Sequence, residues 1–381
     1  MTMLIGLVGA PNAGKSSFFK ALTQKQVEIA DYPFTTITAN QGVGHVLADC
    51  PCTTLKLTCD PQNSSCMDGT RLIPVRLLDV AGLVPGAHEG KGLGNQFLDD
   101  LRQGDALIHV LDSSGATTSE GKPGEWDPLD TVKMLEEEID SWIGSIVGKN
   151  REKLERTAAA EKIPMVKLLT KQLSGLGVTE QAVASALRAG SPETREFITA
   201  VRKESKPILI AANKIDLPTS KEHLTALRKE YVVVPCSAES ELALQEAAKH
   251  NLITYTPGNG FQVKGTLSDK QQAGLDLIEQ QVIKPYGSTG VYTALNAAVF
   301  ELLDMVAVYP VASISKRADK KGNILPDVHL VKKGTPLKEF AAKVHKDLAD
   351  RFIGGINLQG RKIGADYPLQ SGDVVEILFK K

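Results

Sequence analysis

The segment Gly9-Ala-Pro-Asn-Ala-Gly-Lys15-Ser16 restricts this chain more than any other feature. It has the form G-x-x-x-x-G-K-[ST], directly follows the apolar run Leu4–Val8 and precedes a helix-forming run. A strand, a glycine-rich turn and a helix in that order let main-chain N–H groups close on phosphate oxygens, with the positive end of the helix dipole behind them. Gly9, Ala10, Pro11, Asn12, Ala13, Gly14, Lys15, Ser16 and Ser17 are therefore candidate phosphate-binding positions. In such a cradle the Lys15 ammonium serves the β- and γ-phosphates and the Ser16 hydroxyl reaches Mg2+.

Short runs rich in Val, Ile and Leu recur at Leu4–Val8, Val75–Val80, Ala106–Leu111, Pro207–Ala212 and Tyr231–Val234. Each has the length of a strand buried on both faces, and helical stretches separate most of them, so a mainly parallel sheet with crossover helices is expected. The interval from Leu111 to Pro207 is too long for one crossover. Asp127-Pro128 has the form of a helix N-cap and first residue, and Val132, Leu135, Ile139, Trp142, Ile143 and Ile146 follow helical spacing. Ser191-Pro192 is expected to start another helix, before Phe197–Val201. Further on, Tyr309–Ser315, Asp327–Val331 and Val374–Phe379 have the look of short strands around a helix opened by Thr335-Pro336 and running through Ala349, an α+β unit of the β-grasp kind. The expected fold class is α/β: a P-loop NTPase with a mainly parallel sheet, a helical insertion and a C-terminal α+β β-grasp domain. The expected division is 1–124 and 206–305 for the nucleotide domain, 125–205 for the insertion and 306–381 for the C-terminal module.

Composition narrows the class further. A chain of 381 residues, 42% hydrophobic and 23% charged, is globular and large enough for two or three domains. Its five cysteines are too few for a disulfide scaffold, no apolar run reaches the length of a membrane span, and the strand-like LIGLVG follows Met1 with no signal peptide before it. Together these point to the cytoplasm and to no membrane partner. The near-neutral total hides an asymmetry: residues 309–381 carry 14 Lys/Arg and 8 Asp/Glu, the remainder 30 and 37. A basic C-terminal segment suits an anionic partner, although ordinary solvated lysines give the same count.

Three further pieces fall at strand ends. Asp79-Val-Ala-Gly82 closes the run Val75–Val80, where the Asp79 carboxylate can hold the Mg2+ shell through water and the Gly82 N–H can feel a γ-phosphate. Asn213-Lys-Ile-Asp216 follows PILIAA. An ionised Asp216 accepts from two adjacent donors, guanine N1–H and its exocyclic amine, which adenine does not present together. Asn213 buttresses the loop and the Lys214 stem packs over the base. Ser237-Ala238 follows the next strand, where a backbone N–H can meet guanine O6.

With GAPNAGKS, YPFTT at Tyr32–Thr36 and the long glycine-rich stretch Asp79–Asp112 in place, the chain resembles the Obg branch of translation-factor GTPases. The helical insertion and C-terminal segment resemble the YchF group, particularly its archaeal type, and the last segment is similar to a TGS domain. The resemblance implies that Thr36, rather than Thr35, contacts Mg2+ and the γ-phosphate, that Asn12 helps bind an activating K+, and that ribosomes or ribosomal RNA are partners. Many YchF-like proteins carry a changed base-recognition motif and prefer ATP; this chain keeps NKID, which favours GTP, hydrolysed to GDP and phosphate. An ATPase of the same fold, and a nucleotide-gated RNA-binding module in which hydrolysis has no role, are the alternatives. Leu83 stands where Ras-like enzymes place a water-orienting glutamine, so slow intrinsic turnover is expected. His88 is a candidate for positioning the water, a solvated loop histidine being the plainer reading. His109, inside ALIHVLD, reads as structural.

Cys50, Cys52, Cys59 and Cys66 crowd into one stretch, with only Cys236 elsewhere. Four thiolates can hold a tetrahedral Zn2+, but the spacing lacks the usual C-x2-C pairs. Redox-sensitive thiols and unrelated structural cysteines are the other readings.

Overall fold

The five apolar runs all become strands of one sheet. A computed structural model describes residues 3–24, 40–80, 86 and 94–380. Its first strand, β1 (Leu4–Val8), is buried along its whole length and leads into α1 (Lys15–Thr23). Then come β2 (Gln41–Asp49), a short α2 (Pro51–Leu55), β3 (Ser65–Met67), β4 (Thr70–Asp79), α3 (Gly94–Gln103) and β5 (Ala106–Asp112). A run of helices follows: α4 (Pro128–Gly148), α5 (Arg151–Glu161), α6 (Met165–Gln172), α7 (Glu180–Ala189) and α8 (Arg195–Ser205). The chain then returns to the sheet through β6 (Ile208–Asn213), α9 (Ser220–Leu227), β7 (Val233–Pro235) and α10 (Ala238–Lys249). The sheet has the order β2-β4-β1-β5-β6-β7, with β3 paired to β4. β1 runs parallel to β4 and β5, and β5, β6 and β7 run parallel to one another. Strands enclosed by helices on both faces need apolar side chains throughout, which is why periodicity and length revealed them.

The chain continues through β8 (Ile253–Tyr255), β9 (Phe261–Val263) and α11 (Asp269–Ile278), which runs on as a π-helical turn at Glu279–Ile283 into α12 (Lys284–Tyr286). Helix α13 (Val291–Asn296) likewise continues as a π-helix over Ala297–Leu302. The last part contains β10 (Met305–Val311), β11 (His329–Lys332), α14 (Leu337–Val344), α15 (Lys346–Asp350), β12 (Phe352–Asn357), β13 (Lys362–Ile363) and β14 (Val374–Phe379). These strands form a second sheet, β11-β10-β14-β12-β13, with β10 parallel to β14.

The chain separates into two units. One comprises Met1–Leu22, Ala39–Gly42 and Arg76–Ala294; the other comprises Thr23–Thr38, Val43–Val75 and Leu295–Lys381. In the first, Leu135, Ile139, Trp142 and Ile143 of α4 and Phe197 and Val201 of α8 join Leu78 and Leu107 of the sheet in one core. Helix α4 starts as expected, with Asp127 accepting from the Leu129 N–H. Arg202 of α8 is buried against Glu136 and Asp140 of α4 at 2.9 and 2.7 Å. In the second unit, Phe340 and Leu337 of α14 pack on Val306, Val308 and Val375.

Three expectations need correction. The helix expected to start at Ser191-Pro192 starts at Arg195, because Ser191–Thr194 closes as a turn and the Thr194 hydroxyl caps the Phe197 N–H at 3.3 Å. The helix expected through Ala349 breaks at His345, whose extended backbone (φ −163°) ends α14 and whose ring accepts from the Asp347 N–H to start α15. The strand expected at Tyr309–Ser315 lies earlier, at Met305–Val311, and turns away beyond it.

Candidate functional site

All described parts of the candidate nucleotide site sit where parallel strands end at their carboxyl edge, the place where open α/β sheets gather ligands. After β1, the turn reaches α1 through Asn12 at φ +62° and Gly14 at φ +92°. A side chain on Gly14 is excluded twice over, by this left-handed backbone and by Asn213 Nδ2, which would stand 2.2 Å from its Cβ. Lys15, Ser16 and Ser17 form the first turn of α1, where N–H groups have no intrahelical acceptor and face an incoming anion. The Ser16 side chain is exposed, while Ala10 and Ala13 are buried. Lys15 Nζ pairs directly with Asp79 Oδ1 at the end of β4.

Asn213, at the end of β6, is 3% exposed and ties three segments together. Its Nδ2 donates to Ala13 O at 2.9 Å, its Oδ1 accepts from Ala238 N at 3.0 Å, and its carbonyl accepts from the Ser113 N–H and hydroxyl at 3.0 and 2.6 Å. Next in sequence, Lys214 adopts φ +63° and pairs with Asp112 at 2.7 Å. Burial works against the Asp112 carboxylate, but hydrogen bonds from Lys214, Ser114 and Thr117 outweigh it and hold its pKa below the ordinary aspartate value. Asp216 is half-buried, and among the described residues nothing is bonded to its carboxylate. Ser237 caps α10 by accepting from Ser240 N. Its own N–H goes to Thr289 O at 2.8 Å, and that of Ala238 to Asn213. Both amides expected near guanine O6 are thus committed within the protein, and reading O6 with either requires one of these bonds to open.

Sequence reasoning did not find three contacts here. Asp112 acts through Lys214, a pairing that no local motif announces. Asn12 Nδ2 donates to Gly121 O at 2.8 Å, fastening the turn to the loop after β5. Glu138, buried on α4, accepts from Gly86 N at 2.6 Å and so reaches the glycine-rich stretch after Asp79. Thr35, Thr36, Gly82 and His88 lie outside the described residues. His109 is fully buried, its ring nitrogens have no hydrogen-bond partner among the described residues, and burial lowers its pKa to about 4, which suits a structural residue in β5.

In the other unit, the sulfur atoms of Cys50, Cys52, Cys59 and Cys66 all lie within 4.8 Å of one another. The closest pairs, Cys50–Cys59 and Cys52–Cys66, are each 3.9 Å apart, and all four are free thiols. Burial opposes ionisation of Cys52, but hydrogen bonds from Cys50, Cys59 and Cys66 outweigh it and lower its pKa. Burial raises the Cys59 thiol to about 11 and the Cys66 thiol well above its usual value, with Cys50 repelling charge on both.

Comparison with known proteins agrees with this layout. The family of 50S ribosome-binding GTPases matches residues 4–171, the G4 motif-containing domain of YGR210-like Obg-like GTPases matches 211–313, and the TGS domain matches 320–379. An uncharacterised GTP-binding protein of Methanocaldococcus jannaschii is 47% identical, with 98% of each chain covered. The ribosome-binding ATPase YchF of Bacillus subtilis is 28% identical over the full length of both. The crystal structure of a GTP-binding protein from Pyrococcus horikoshii superposes with a TM-score of 0.79 at 36% identity, covering 99% of this chain and all of that one. No helix among the described residues is long and apolar enough to cross a membrane. With the P-loop fold, the asparagine clamp and these full-length likenesses together, the chain belongs to the Obg-like, YchF-type family of P-loop GTP-binding proteins and carries a C-terminal TGS domain.

Proposed function

We propose that this protein is a slow, Mg2+-dependent GTPase switch that acts at the ribosome. The observation that carries the reading is the Asn213 clamp. One buried side chain joins the phosphate turn, through Ala13 O, to the segment after β7, through Ala238 N. The Asp112–Lys214 pair fixes the start of the loop, and Asp216, two positions beyond Lys214, has a carboxylate that no described residue engages. That carboxylate suits the paired donors of guanine.

Residues fit for the metal are present. The exposed Ser16 hydroxyl offers a hard oxygen ligand of the kind Mg2+ prefers, the Asp79 carboxylate would hold the shell through water, and Thr36 is the proposed ligand from the segment Tyr32–Thr36. Bound there, Mg2+ would neutralise charge on the β- and γ-phosphates. Lys15 then exchanges Asp79 for phosphate oxygens, and the Gly82 amide meets the γ-phosphate. Asn12, held by its Nδ2, keeps its Oδ1 to offer to K+. His88 is the proposed group for orienting water. Hydrolysis releases the switch segments, and the bond from Gly86 to Glu138 gives α4 a direct connection to the second of them. The basic C-terminal segment, with the ribosome-binding name of the B. subtilis relative, supports ribosomal RNA as the partner, reached through phosphates.

ATP is the second reading, favoured by the internal commitment of the Ser237 and Ala238 amides and by the ATPase name of that same relative. Single-turnover hydrolysis of GTP, with and without ribosomes, tests the proposal. Acceleration by ribosomes and tighter ribosome binding in one nucleotide state are expected. An unchanged rate together with equal binding of both states would remove the switch.

A further inference from the structure

The cysteine cluster belongs to the second unit, and an inference from it does not depend on the nucleotide reading. We infer that Cys50, Cys52, Cys59 and Cys66 bind a single Zn2+ as a closed tetrathiolate site, and that this ion fastens the segment 50–67 on which the loop 324–328 is anchored.

Geometry is the first support. Zinc–thiolate bonds of about 2.3 Å in a tetrahedron place neighbouring sulfurs about 3.8 Å apart. The two closest pairs stand at 3.9 Å and every sulfur lies within 4.8 Å of the others. That space takes one ion and is too small for a polynuclear iron–sulfur cluster. It is also far from the roughly 2.05 Å of a disulfide, and the sulfurs form one group instead of two separate bonded pairs. Four protein ligands leave no open position for water, so the site is structural.

Charge is the second support. Arg71 is fully buried and sits opposite Cys66 in the β3–β4 hairpin. Its guanidinium donates to Ser64 Oγ at 3.0 Å and Leu325 O at 2.8 Å and stacks over the Tyr309 ring at 5.3 Å. Among the described residues its Nε has no partner and no carboxylate pairs with it. A buried cation without an anion is costly. Zn2+ with four thiolates carries a net charge of −2 and supplies that anion beside it.

The backbone is shaped for the purpose. Cys50 precedes the first turn of α2, which Lys56 ends in the left-handed conformation. Gly69 turns the hairpin at φ +84°, and a Cβ there would stand 2.3 Å from Thr53 Oγ1, so only glycine lets the hairpin close on α2. Between the second and fourth ligands, the chain grips the loop ahead of β11. Asp60 N donates to Ile324 O at 2.8 Å and Gln62 N to Pro326 O at 2.7 Å. Asn63 donates to Val328 O and accepts from Val328 N, at 2.9 and 3.0 Å. Residues 56–64 include no other helix or strand, so beyond these hydrogen bonds the ion is the fastening that the segment gains.

The test uses the full chain, purified under reducing conditions from medium without added zinc. Metal analysis should find about one zinc per chain, and after stripping, cobalt(II) should return the intense visible absorption of a tetrahedral thiolate site. Cys59→Ser and Cys66→Ser should each lower the zinc content at least about tenfold, whereas Cys236→Ser, in the other unit, should leave it unchanged. Stripping wild-type protein should raise hydrogen exchange at 324–328, a readout that stands even if the serine variants fold poorly. Reduced protein that carries no metal and takes up no cobalt would overturn the inference. So would iron in place of zinc, full zinc content in both serine variants, or exchange at 324–328 that does not respond to stripping.

Discussion

The nucleotide site takes its groups from the ends of strands scattered between Lys15 and Ala238, whereas the thiol cluster takes all four of its ligands from Cys50–Cys66. The first is positioned by a sheet whose parallel strands are fixed by a large core, so its cations and anions meet in place: Lys15 with Asp79, Lys214 with Asp112. The second has a five-residue helix and a three-residue strand for scaffold, with four sulfurs gathered within 4.8 Å of one another. Sites set by a fold keep their geometry without a ligand. Sites set by a short local segment rely on the ligand for theirs.

That contrast can be broken at several points. The largest effect is expected from Lys15→Ala, which removes the ammonium proposed to meet the β- and γ-phosphates. Turnover should fall about 10^3-fold, about 4 kcal/mol, while zinc content stays unchanged. Intact nucleotide affinity and turnover in this variant would end the phosphate-cradle account.

Arg202→Ala takes the cation from Glu136 and Asp140 and leaves them the hydroxyls of Tyr231 and Thr199, and chemical denaturation of the nucleotide unit should show a loss of about 3 kcal/mol. A loss below about 0.5 kcal/mol would mean that the pair behaves as a solvated one.

His109 gives the nucleotide unit an acid sensitivity. Its folded pKa of about 4 lies below the usual 6.5, so the unfolded chain binds more protons between those values and stability rises with pH across that window. Lowering the pH from 7 to 5 should cost about 2 kcal/mol, and His109→Leu should flatten that slope in thermal melts. The smallest change, Asp127→Ala, removes the cap of α4 and should lower stability by about 1 kcal/mol, with GTP affinity unaltered.

How far each region could be read from the sequence follows the same division. The phosphate turn, the buried strands and the Asp127-Pro128 start of α4 carry their reasons within a few residues, and periodicity or a motif exposes them. β2, with glycines at 42 and 44 and polar residues among its apolar ones, has no clean alternation and went unrecognised. The start of α8 depended on which of two capping candidates, Ser191 or Thr194, won the N–H groups, and the break at His345 interrupts a helical pattern that runs on through it. Asn12 with Gly121, Asp112 with Lys214 and Glu138 with Gly86 join residues 50 to more than 100 positions apart, where only tertiary packing decides. For the cysteines, the spacing lacks C-x2-C pairs, and the sulfurs are brought together by features that spacing does not announce, a tight turn at Gly69 and a left-handed Lys56.

The central claim is that the Asn213 clamp presents Asp216 to guanine. Equilibrium titration of GDP and ADP against the same preparation, in Mg2+ and K+, tests it most directly. The account predicts that GDP binds at least about 100-fold more tightly, roughly 2.7 kcal/mol, and that Asp216→Ala erases the difference. Equal affinities in the wild type, or a preference for ADP, would contradict it.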